Sequence, residues 1–113
     1  MEYVTRRSGE KVAIDMAKFK SVIRTNQDLF DLMHWMKTNI EKSIEAKIAI
    51  EESDDKDYIE ANICILEELH REMSIKFQSI GYPPLEGNMR EDIRNGVGDL
   101  ASIQKKCVEM GIV

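Results

Sequence analysis

Two apolar stripes at helical spacing, separated by three turn-forming residues, constrain this chain more than any other feature. Leu29, Met33, Met36, Ile40, Ile44 and Ile48 recur every three or four residues, the repeat of one face of an α-helix. Ser53-Asp54-Asp55 interrupts the pattern with residues that prefer caps and turns. A second stripe follows at once: Ile59, Ile63, Leu66, His70, Met73, Phe77 and Ile80, with Gly81 placed as a C-cap. Two long helices joined by so short a turn must run antiparallel, so residues 26–80 are expected to form a helical hairpin.

The flanking segments are shorter. Residues 1–14 fit either a helix or a β-hairpin turning at Ser8-Gly9 with Arg7 facing Glu10. The irregular or hairpin start is preferred, because Asp15 is the better cap for a helix over 15–25. Thr25 and Asp28 match a capping box that divides this helix from the next. Tyr82-Pro83-Pro84-Leu85-Glu86-Gly87 cannot be helical, since the tandem prolines remove donors and force extended backbone before them, and residues 81–88 are read as a Pro-rich linker. Asn88 then caps a last helix over 89–110, weakened at Gly96 and Gly98, where it is expected either to split or to pack closely. The fold class predicted is all-α: a small bundle built on a long antiparallel hairpin, with N- and C-terminal helices and a short N-terminal β-hairpin.

A chain of 113 residues with 42% hydrophobic and 33% charged residues has the size and composition of one domain with one core. Its small size makes burial by homo-oligomer formation advantageous. No run of about 18 apolar residues suits a membrane, and the N-terminus has no apolar signal-peptide core, so a cytoplasmic protein without membrane partners is expected. Cys64 and Cys107 fall within helical stripes and form no CxxC pair, so both are read as reduced thiols.

Catalytic chemistry finds little footing. Asp31-x-x-His34 and Glu67-x-x-His70 have the acid-x-x-His spacing of di-metal bundles, and the hairpin would bring the two histidines to one level. Asp31, however, falls away from its helix stripe and Glu67 at the edge of its own, and no glutamates are placed to bridge two ions. A di-metal enzyme is therefore the remotest reading. No nucleophile has a recognisable setting, and the glycines match neither a phosphate-binding loop nor a dinucleotide fingerprint. No metal, cofactor or enzymatic activity is expected.

Three features point instead to binding. Trp35, with Leu32, Ala46 and Ile50 near it in angle, forms a second apolar face roughly opposite the main stripe, available to a partner or to the other helices of the chain. The hairpin turn is acidic: Glu51, Glu52, Asp54, Asp55, Asp57 and Glu60 stand against Lys56 alone within ten residues. These acids complement a helix N-terminus, or dock on a basic surface as phosphates would. Residues 1–25, by contrast, hold six Lys/Arg against three Asp/Glu, including Arg6, Arg7 and Lys11 beside Tyr3, a set able to contact phosphates. The function predicted is a protein-binding module that regulates or inhibits a larger macromolecular partner by occlusion, using Leu32, Trp35, Ile50 and the acidic cap. The alternative is a nucleic-acid or nucleotide-ligand binder that uses Tyr3, Arg6, Arg7 and Lys11.

Overall fold

The computed structural model of the chain describes residues 2–113. Strands β1 (Tyr3–Thr5) and β2 (Lys11–Ala13) precede α1 (Met16–Val22), the long helices α2 (Asn26–Glu52) and α3 (Lys56–Ser79), then α4 (Met89–Asn95), a 3₁₀ turn (Gly98–Leu100) and α5 (Ala101–Glu109). The fold is the expected helical one with a short β-hairpin, and α2 packs with α3 as a pair. Two compact units divide it, one holding the residues up to Thr38 with Arg71–Glu86, the other Asn39–His70 with Gly87–Val113.

In the first unit the β-hairpin pairs antiparallel, Val4 opposite Val12 and Thr5 opposite Lys11, a register that sets Arg6 rather than the expected Arg7 opposite Glu10, with the Arg6 amide donating to the Glu10 carbonyl at 2.8 Å. The amide of Gly9 closes the turn on the Arg6 carbonyl at 2.9 Å. Helix α1 is capped as the sequence predicts, Asp15 Oδ1 accepting from the Lys18 amide at 3.0 Å. It is shorter than 15–25, ending at Val22 with Ile23 already non-helical, because the capping box begins a new helix immediately afterwards. Thr25 Oγ1 accepts from the Asp28 amide at 3.1 Å, while Asp28 Oδ2 accepts from the amides of Arg24 and Thr25 at 2.9 and 3.1 Å. Those two amides hold the Asp28 carboxyl below its ordinary value.

The second unit holds the main core: Ala46 and Ile50 of α2, Ile59, Ile63 and Leu66 of α3, Ile93 of α4, Leu100, and Ile103 and Cys107 of α5. Its C-terminal segment is two helices rather than one over 89–110. Gly96 and Gly98 take left-handed backbone, with φ of 64° and 57°, and this turns the chain so that α5 can reach the hairpin. Lys106 of α5 secures the C-terminal end of α2, its ammonium donating to the carbonyls of Ile50, Glu51 and Ser53 at 3.1, 2.6 and 2.8 Å. Cys107 is buried and Cys64 exposed, both as free thiols. Loss of solvation pushes the Cys107 thiol up.

Arg90 ties α4 to α3, reaching Glu60 at 2.5 Å and Glu67 at 3.0 Å. The Arg90 hydrogen bond holds the Glu60 carboxyl below its ordinary value. A carboxylate lowered in the folded state contributes stability that is complete above the ordinary carboxylate range and is lost as pH falls through its lowered value. Arg90→Gln should therefore flatten the acid limb of the stability profile. Denaturant midpoints measured through that range on both proteins check this, and parallel acid limbs would show that the ion pair contributes nothing.

The faces of α2 are the reverse of those expected. Leu29, Met33, Ile40, Ile44 and Ile48 are exposed, whereas Leu32, Asn39, Ala46 and Ile50 are buried. Trp35 is half-buried, and the ammonium of Lys76 on α3 sits 5.7 Å from its ring centroid. Trp35 thus makes a cation–π contact across the hairpin's own seam while part of its surface stays accessible.

Candidate functional site

The first unit holds an apolar pocket of about 430 Å³ that is partly open to solvent. Its walls come from every segment of that unit: Val4 and Arg6 from β1 and its exit, Phe19 from α1, Leu29, Leu32, Met33 and Met36 from α2, Phe77 and Ile80 from the end of α3, and Tyr82–Glu86 from the linker.

Strand alternation explains the first wall. Val4 and Arg6 are half-buried on one side of the ribbon while Tyr3, Thr5 and Arg7 are exposed on the other. On α2 the spacing 29, 32, 33, 36 keeps four side chains on one helical flank, with Leu32 buried and Leu29 and Met33 left at the rim, 43% and 60% exposed. The linker forms the opposite wall because several bonds hold it in place. Tyr82 donates its amide to the Phe77 carbonyl at 2.8 Å. Its ring meets Phe19 edge-on at 5.8 Å and lies tilted against Phe77 at 6.0 Å. The Leu85 amide donates to Ser74 Oγ at 3.2 Å, and Glu86 Oε1 accepts from the Arg7 amide at 2.9 Å.

Arg6 and Arg7 lie at this end of the unit, with Glu10 opposite Arg6 in the hairpin and Glu86 beside Arg7, and the two guanidinium groups are not equivalent. Arg7 is engaged with Glu86, through its amide and with its guanidinium 3.7 Å from the carboxylate. Arg6 lines the pocket, half-buried, and its guanidinium makes no hydrogen bond or ion pair among the described residues. The site is therefore an apolar recess with one guanidinium in its wall that makes no hydrogen bond or ion pair among the described residues. Besides Arg6, the polar side chains of its lining are those of Tyr82 and Glu86.

The sequence-predicted site residues scatter. Leu32 lines the pocket, Trp35 meets Lys76, and Ile50 lies fully buried in the second unit's core. Within the acidic turn, Asp55 Oδ1 caps α3 by accepting from the amides of Asp57 and Tyr58 at 3.0 and 3.3 Å. Glu51 accepts from the Ser102 hydroxyl at 2.7 Å, and Lys106 approaches Asp54 at 3.8 Å. Glu52, Asp54 and Asp57 are exposed.

Of the phosphate-binding set, Tyr3 and Lys11 are exposed on the hairpin, Arg7 is held by Glu86, and Arg6 faces inward to the pocket, so the four do not share one surface. Asp31 accepts from Gln27 at 2.8 Å and Glu67 from Arg90. Among the described residues, no group of three or more His, Cys, Asp or Glu side chains is placed to hold a metal ion. No helix of the described residues is long and apolar enough to cross a membrane.

Sequence reasoning missed most of the pocket: Val4, Phe19, Met36, Phe77 and the linker wall. One sign was present in Tyr82-Pro83-Pro84-Leu85, an apolar composition unlike that of a solvated loop. No family model, curated protein or solved structure matches the chain.

Proposed function

We propose that the chain is a non-enzymatic protein-binding module that regulates or inhibits a larger partner by covering one of its segments, with the first unit's pocket as the docking point. The observation that carries this reading is a mostly apolar recess whose rim residues, Leu29 and Met33, remain largely exposed. Exposed apolar surface around a recess marks an interaction site. The acidic turn supports the reading less, because Asp55 and Glu51 already serve as a helix cap and an anchor for α5.

Capture from the native host lysate tests the proposal when three proteins are compared. The wild type should retain a partner in fixed proportion. Met33→Lys, which sets a charge on an exposed rim position, should lose it without a change in thermal midpoint. Asp54→Lys with Asp57→Lys should keep it. A partner lost with the turn variant and kept with Met33→Lys would move the docking point to the acidic cap and overturn this assignment.

A further inference from the structure

We infer that the segment received by this pocket is acidic: an amphipathic helix that carries a carboxylate within one turn of the apolar side chain entering the recess, with Arg6 as the group that meets it. The inference rests on the pocket being the partner site.

Charge is the first argument. Arg6 extends from the inward side of β1 into a wall otherwise built from Val4, Phe19, Met36, Phe77 and their neighbours, and its guanidinium has no hydrogen-bonding or ionic partner among the described residues. The nearby acid Glu86 is engaged by the amide and guanidinium of Arg7, and Glu10, opposite Arg6 in the hairpin, makes no ion pair with it among the described residues, so the Arg6 guanidinium is left without an ionic partner at the mouth. Water still reaches the half-buried Arg6 in the free protein. A neutral or basic segment laid over the mouth would remove that water and leave the cation unpaired, which is costly. A carboxylate replaces the water with a charge-assisted, bidentate partner of the geometry that a guanidinium favours.

Shape is the second argument. A small-molecule site encloses most of its ligand, whereas this recess opens along α2, where Leu29, Met33 and Met36 follow one another at spacings of four and three. Such a rim matches an amphipathic helix laid alongside, with anchors at the same spacings.

The experiment is selection of a displayed random peptide library on the full chain, run in parallel on wild type, Arg6→Gln and Met33→Lys. Wild type should enrich peptides with a large apolar residue and an Asp or Glu three or four positions away. Arg6→Gln should still enrich apolar anchors but without the acidic preference. It should also bind the wild-type peptides about tenfold more weakly, the scale of one charge-assisted hydrogen bond. Matching thermal midpoints for wild type and Arg6→Gln establish that the fold is unchanged.

Peptides that depend on Met33 but show no acidic preference, or that bind Arg6→Gln as well as wild type, would overturn the acidic assignment and leave the pocket reading standing. Failure to recover any Met33-dependent peptide would overturn both. Arg6-dependent binding of dodecanoate in place of any peptide would assign the pocket to a small amphiphile and overturn the inference.

Discussion

Ile50→Ala should destabilise the protein by about 2 to 5 kcal/mol, while Ile44→Ala, six residues earlier on the same helix, should cost less than about 1 kcal/mol. The two substitutions delete the same atoms, so the difference reports environment alone. Ile50 has no exposed surface and sits among Ile59, Ile63, Ile103 and Cys107, whereas Ile44 is 45% exposed. Removing the Ile50 side chain leaves a cavity whose lining loses dispersion contacts and cannot fully collapse. Removing that of Ile44 returns a half-solvated position to water. Against a total stability of roughly 5 to 15 kcal/mol for a domain of this kind, the first loss is large enough to shift a urea midpoint by a molar unit or more at ordinary slopes. Equal midpoints for the two variants, or a larger loss for Ile44→Ala, would restore the opposite face of α2 as the inner one.

That comparison also shows where sequence reasoning reached its physical limit. Helix existence, type and most boundaries follow from local signals. The Thr25/Asp28 box, the Asp15 and Asn88 caps, and the turn at Ser53–Asp55 each leave hydrogen bonds that the structure contains. The inward face of α2 is a different matter, because periodicity identifies stripes without saying which one is covered. The exposed stripe is the longer and more apolar of the two, so hydrophobicity alone selects it. The buried one includes Asn39, Ser43 and Ala46, small or polar residues that permit close approach of a second helix, with Asn39 and Ala46 deeply buried.

The pocket was less legible still. It gathers residues from β1, α1, α2, α3 and the linker, so no sequence window contains it, and its key polar member, Arg6, reads from the sequence as one of a phosphate-contacting set with Tyr3, Arg7 and Lys11 rather than as a pocket residue. Its inward direction follows from strand register and from Arg7 taking Glu86, and both are tertiary facts.

Gly81→Ala should be the most damaging small substitution in the first unit, costing more than about 2 kcal/mol, where Gly98→Ala costs about 1 kcal/mol. Both glycines have left-handed backbone, with φ of 93° and 57°, and both variants carry the steric cost of a Cβ there. They differ in their surroundings. A Cβ on Gly98 meets open space, whereas one on Gly81 overlaps the Asp15 carbonyl oxygen and approaches the Phe19 amide nitrogen at 3.2 Å. Those atoms are backbone and cannot rotate aside. Displacing them breaks a connected set of bonds, since the Asp15 amide donates to the Gly81 carbonyl at 2.8 Å and the Asp15 carbonyl accepts the Phe19 amide in the first turn of α1. Phe19 and Tyr82, whose rings meet beside this junction, both line the pocket. The strain is therefore expected to loosen the recess as well as to lower stability. Peptides selected on wild type should bind Gly81→Ala more weakly at temperatures where it remains folded, and should bind Gly98→Ala, whose substitution lies in the second unit, as they bind wild type. A Gly81→Ala protein with an unchanged denaturant midpoint would mean that the end of α3 does not hold α1 as closely as these bonds require.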